Sequence, residues 1–271
     1  MWVLEHSVHI EVEKPMCVDL EQADAVMAKA REKGVRVAVH HQARVGAFMR
    51  AMYKAFTEGR IGELRYISSR GKTYYGGLGL MNIGTHQLNN MLKFAGHCRT
   101  VSTVGLTDNH PITPEDVVPS PLGMGTIAGE QITATLHFDN NVTATLIQHR
   151  FPTGTSPVMK VVGTEGRLLA TTCLLIKGNA WLLPQSHYIP DGKSDQWQPL
   201  EPVYPEHYDR RGTTSFLSEL EAEVGKTVLT ANQVTMWEVL RLAGNLTPQS
   251  NLGRLMMMIS KIEERKNGTI H

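Results

Sequence analysis

Residues 131–149 read QITATLHFDNNVTATLIQH. Apolar and polar side chains alternate through 131–138 and again through 142–149, the period-two pattern of strands with one buried face. Asp139-Asn140-Asn141 stands between them, residues that accept turn backbone, so the stretch reads as a hairpin. Downstream, 160–163, 167–170 and 173–177 read as further strands with turn signals between them. The middle of the chain is therefore expected to be antiparallel sheet.

Upstream the rhythm differs. Residues 8–13 (VHIEVE) alternate as a strand, and Asp19 opens a helix with Gln22 three residues on, in capping-box position. Apolar and alanine residues at 20, 23, 26, 27 and 30 give that helix one face, and Lys33-Gly34 closes it. Residues 35–40 (VRVAVH) are a second strand, 45–58 a helix ended by Gly59, and 63–69 a third strand. Strand, helix, strand, helix, strand is the rhythm of a parallel α/β sheet. A short helix over 84–95 ends at Gly96. Residues 184–212, rich in Pro, Gly, Tyr, His and Asp, read as a long loop, followed by helices at about 213–225 and 231–244.

Composition narrows the function classes. The chain has 271 residues and a net charge of +1, which gives no electrostatic pull toward nucleic acid or an anionic membrane. No apolar run approaches the ~18–20 residues of a membrane span, and the N-terminus lacks a secretory pattern. The 3 cysteines are widely spaced and form neither a disulfide framework nor a C-x-x-C clip, so a reducing, cytoplasmic compartment is expected. His40-His41, Asp108-x-His110 and Glu115-Asp116 have neither zinc-helix spacing nor a cysteine pair nearby, and no metal is expected. The run LMMMI at 255–259 reads as core or interface. No G-x-G-x-x-G occurs: Gly77-Leu78-Gly79 and Gly123-Met124-Gly125 both fail at the last glycine.

Three motifs in order carry a resemblance. Glu13-Lys14-Pro15 follows a strand and precedes a helix; GGLGLMNIGTHQLNN follows at 76–90; VVGTEGRL stands at 161–168 within the sheet region. Across roughly residues 5–170 this resembles the glucose–fructose oxidoreductase / inositol dehydrogenase / MocA family. The resemblance implies α/β plus α+β architecture. Residues 1–42 would be the C-terminal remnant of a dinucleotide-binding Rossmann domain, the chain starting inside it. Residues 43–271 would be an open, mainly antiparallel sheet domain with flanking helices, carrying the substrate site and associating into a homo-oligomer through the sheet. It also implies NAD or NADP as cofactor and a sugar or cyclitol as substrate. The other reading is a non-catalytic or incomplete member, a sugar-binding or oligomerisation domain without cofactor.

Oxidising an alcohol with a nicotinamide requires a base for the hydroxyl proton and a donor for the reacting oxygen. The resemblance places Lys14 and His86 in these parts and Glu13, Lys14 and Pro15 against the cofactor. Histidine suits a base because its pKa of about 6.5 lies near working pH. The family carboxylates four residues before and three after that histidine are here Asn82 and Asn89, which hydrogen-bond but take no proton. Asn82 would orient the substrate or His86. Arg44, Tyr75, Asn82 and Asn89 are the expected substrate contacts, Arg44 because it follows a strand's C-terminal end. Spacing alone leaves another reading open: His86, Asn89, Asn90 and Lys93 fall at i, i+3, i+4 and i+7, as on a solvated helix face opposite Leu88, Met91, Leu92 and Ala95.

Overall fold

The computed structural model describes residues 2–72, 76–121, 125–150, 158–171, 179–185, 196–204, 221, 225 and 228–230. They fall into two compact units, one of Met1–His40 with Pro205–His271 and one of His41–Tyr204.

In the first unit, helix α1 (Trp2–Glu5) precedes strand β1 (His9–Glu13), helix α2 (Leu20–Glu32) and strand β2 (Val37–His40). Asp19 caps α2: its Oδ1 accepts the Gln22 N–H at 2.8 Å, and the Gln22 side-chain amide donates to Oδ2 at 2.8 Å. That satisfies a backbone donor the helix start would leave unpaired. β1 and β2 lie parallel, Ile10 opposite Val37. Leu4, Ala30 and Val35 form a small core with Ile10, Val26 and Val37 packed against it.

The second unit opens with helices α3 (Gln42–Val45) and α4 (Ala47–Thr57). The sequence predicts one helix over 45–58; Gly46, with ψ at 142°, takes extended backbone and divides it in two. Strand β3 (Leu64–Lys72) leads to helix α5 (Gly76–Gly79), a π turn at Leu80–Gly84 and helix α6 (Thr85–Ala95). Then come β4 (Cys98–Thr107), β5 (His110–Pro111), β6 (Val118–Pro119), β7 (Thr126–Ile127), β8 (Gln131–Phe138), β9 (Thr143–His149), β10 (Val158–Gly163), β11 (Arg167–Ala170), β12 (Ala180–Leu183) and β13 (Gln198–Pro199). The chain returns to the first unit with β14 (Val228–Thr230), parallel to β1 on the side away from β2.

One large sheet organises the second unit, in the order β13-β12-β11-β10-β3-β9-β8-β4-β5. The hairpin forms as expected: β8 and β9 pair antiparallel from Gln131 opposite His149 to His137 opposite Thr143, and Asn141 takes a φ of 61° in the turn. The third strand of the upstream rhythm does not extend the parallel sheet. β3 lies inside the large sheet, parallel to β9 and antiparallel to β10. Pairing with the apolar edges of both strands buries Ile67 fully, which the small sheet's few apolar residues do not offer. One face carries the core: Ala134, Leu136, Phe138, Ala144, Leu146, Val161 and Leu168 pack against Met49, Met52 and Ala55 of α4 and Met91 and Phe94 of α6. The other face shows Tyr66, Thr133, Thr135, Thr143, Thr145 and Ile147, all half-buried.

The strand read at 173–177, Tyr74, Tyr75, the helix at 231–244 and the 255–259 run lie outside the described residues, as does nearly all of the helix read at 213–225. Within the loop read at 184–212, residues 198–199 form β13.

Candidate active site

The glycine stretch ahead of the helix read over 84–95 is itself helical. α5, the π turn and α6 follow without interruption from Gly76 to Ala95. Its start is wedged against another backbone segment. Gly77 N–H donates to Gly129 O at 2.9 Å, and a Cβ on Gly76 would stand 2.5 Å from Glu130 O. Only glycine permits that approach. Glu130 holds the segment in turn: its carboxylate accepts from Arg150 Nη1 and, at 3.3 Å, from Asp108 N–H. The π turn adds one residue to the helical register, a device common at functional sites, and re-aims the helix that follows. Asn82 lies in this turn, half-buried, its carbonyl accepting from Thr85 Oγ1 at 3.0 Å.

α6 therefore does not present a solvated polar face. His86 is 1% exposed, Asn90 is fully enclosed, and Leu92 is the side chain left at 42% exposure. The polar residues point inward because a second polar layer awaits them. Gln87 Nε2 donates to Arg70 O on β3 at 2.8 Å, and Gln148 Nε2, on β9, donates to Gln87 Oε1. This buried amide chain pins α6 to the sheet and fixes the position of His86 beside it. His41, directly after β2, meets His86 edge-on, ring centroids 5.5 Å apart at 85°. Sequence reasoning weighed His41 only as a metal ligand; its place at a strand's C-terminal end was the available signal. Gln87 and Gln148 gave none, since an isolated glutamine reads as surface.

Arg44 and Asn89 are brought together. Arg44 Nη1 donates to Asn89 Oδ1 at 3.1 Å and to Asn89 O at 3.3 Å. In the first unit, Lys14 follows β1 and is half-buried; burial lowers its ammonium pKa and Glu13 acts against that shift. The Lys14–Pro15 peptide is cis, and Glu13 is exposed. At the end of β2, His40 Nδ1 lies 2.6 Å from Glu11 Oε1, so the two neighbouring histidines have different partners. Among the described residues, no group of three or more His, Cys, Asp or Glu side chains is placed to hold a metal ion. Nor is any described helix long and apolar enough to cross a membrane.

Comparison with known proteins gives the framework for this geometry. Residues 49–169 match the GFO/IDH/MocA C-terminal domain, and residues 1–41 match the oxidoreductase family's NAD-binding Rossmann fold. The chain belongs to the GFO/IDH/MocA oxidoreductase family. A relative, the 1,5-anhydro-D-fructose reductase of Ensifer adhaerens, is 44% identical over 54 residues, 20% of this chain and 16% of that protein. The NAD binding oxidoreductase of Klebsiella pneumoniae shares the fold at a TM-score of 0.56 and 18% identity, over 73% of this chain and 55% of that one. The aldose-aldose oxidoreductase of Caulobacter crescentus, solved with glycerol, does so at 0.59 and 16% identity, over 97% and 70%. This GFO/IDH/MocA chain thus spans about half the length of the Klebsiella protein and far less of the Ensifer one.

Proposed function

We propose that the chain acts in NAD(P)-dependent hydride transfer at a hydroxyl or carbonyl carbon of a sugar or cyclitol. One observation carries the reading: His86, set by the π turn and the amide chain, is a buried titratable group beside a second imidazole.

In this reading the bound nicotinamide supplies the hydride acceptor, and the chain manages the oxygen and the proton. His86 takes the proton from the substrate hydroxyl, or returns it in the reverse direction. Lys14, its charged form disfavoured by burial, donates a hydrogen bond to the reacting oxygen and stabilises developing negative charge. Asn82, Asn89 and Arg44 hydrogen-bond the remaining hydroxyls, with Tyr75 as a further contact. Glu13, Lys14 and Pro15 would hold the cofactor. The pyrophosphate end does not fit the described residues equally well. The glycine-rich first turn that cradles the pyrophosphate in a Rossmann fold has no counterpart among the described residues: the connection from β1 to α2, residues 14–19, has no glycine.

That mismatch, with Asn82 and Asn89 contributing no proton-accepting carboxylate, supports a second reading: a sugar-binding or oligomerising member that binds no cofactor. Both readings place the protein in the cytoplasm, consistent with free thiols at Cys17 and Cys98. Both also use the open sheet face for self-association. Calorimetry with NAD and NADP separates them. The first requires micromolar to submillimolar binding, and turnover of D-glucose or myo-inositol that falls about 10²-fold or more in His86→Ala. Silence at millimolar cofactor selects the second.

A further inference from the structure

Farther along α6 stands a group of charges the proton chemistry does not use. Lys93, two turns after His86, sits with Nζ 4.2 Å from the centre of the Tyr53 ring and donates to Arg44 O at 3.5 Å. Arg44, from α3, is held by the Asn89 side chain, a neutral amide. Arg50, one turn before Tyr53 on α4, has its Nε buried with no hydrogen-bond partner among the described residues. All three cations are half-buried, and none forms an ion pair among the described residues.

This arrangement is costly as it stands. Three like charges share one partly desolvated region, and an amide at 89 hydrogen-bonds Arg44 without neutralising it. The strain is visible at Lys93, whose pKa is lowered first by burial and then by Arg44 and Arg50. A bound anion would relieve all three at once through charge-assisted hydrogen bonds. At about 1.5 Å per residue, Lys93 lies roughly 10 Å along the helix from His86, and Asn89 roughly 4.5 Å. A sugar-sized molecule spans that interval.

We propose that Arg44, Arg50 and Lys93 form a subsite for an anionic substituent, a phosphate or carboxylate, on the substrate. That the anion belongs to a substrate rests on the function proposed above; the cation cluster itself stands on the geometry of the second unit. Calorimetry at low salt, without cofactor, on the full chain tests it with D-glucose, D-glucose 6-phosphate, D-gluconate and NADP. Either charged sugar is expected to bind at least tenfold more tightly than D-glucose, with affinity falling as salt rises; the tighter of the two identifies the anion. Asn89→Asp, a near-isosteric change that gives Arg44 a carboxylate, is expected to lower that affinity about fivefold or more, and Lys93→Gln likewise. Equal affinity for charged and neutral sugars, no binding of either, or an unchanged affinity in Asn89→Asp overturns the proposal. Displacement of the charged sugar by NADP overturns it too, assigning the cations to the cofactor. Failure of NAD(P)-linked turnover leaves this binding readout intact, and turnover of neutral sugars with no anion preference sinks the subsite alone.

Discussion

Asn90 shows how much a single side chain costs when it is enclosed without partners. It is fully buried, and neither amide atom finds a hydrogen bond among the described residues. Each such group carries a desolvation penalty of about 1–3 kcal/mol, whereas an apolar side chain of similar volume carries none. Asn90→Leu is expected to raise the urea midpoint, by about 1–2 kcal/mol of stability on that scale, with the denaturant slope unchanged. Lys93 makes a pH-dependent statement. Its folded pKa lies below the usual lysine value of 10.5, so the fold is penalised while the ammonium is charged. As pH climbs from the lowered pKa toward 10.5 the folded state sheds the proton first, and stability rises through that window. The stability difference between wild type and Lys93→Gln, measured by urea unfolding at pH 8 and at pH 10, is expected to shift toward the wild type. At this scale the sequence was partly legible. The Gly76–Asn90 motif located His86 and Asn89, but polarity was read as exposure, and nothing local reveals that Gln148, on a distant strand, receives the polar face of α6.

At the scale of elements, the hairpin was legible because its signal is local: two alternating runs and a turn, all within 131–149. β4 was not, because Val101 and Val104 are left exposed on its opposite faces and no alternation builds up. Helix α5 was hidden as well, since its glycines mimic a loop while Gly76 and Gly77 serve a close backbone approach. That approach is testable. Gly76→Ala puts a Cβ against the Glu130 carbonyl, where no flexible side chain can yield. Overpacking of this kind costs about 1–3 kcal/mol, so the urea midpoint is expected to fall. His86 depends on the same segment, and its binding or catalytic readout is expected to fall further than stability does.

For the molecule as a whole, the half-buried face of the large sheet carries the proposal of self-association. Val104, 59% exposed, stands opposite Thr133 in the β4–β8 pairing, next to Thr135 and Thr145 on the same face. Sedimentation of the wild type is expected to show a dimer or higher species, and Val104→Lys with Thr133→Lys to shift it to monomer while the circular dichroism stays native. A monomeric wild type would refute the interface. The return of β14 to pair with β1 was illegible in the sequence, because the partners stand near opposite ends of the chain and no local pattern links them. That pairing has a consequence during synthesis. The second unit is complete by Tyr204 and its pairings are mostly between neighbours in the chain, so it can close while later residues are still inside the ribosome. The parallel sheet cannot finish until Val228 has emerged. For that interval the nascent chain carries a bare β1 edge, and a chaperone or an intruding strand from a neighbouring chain would find it there.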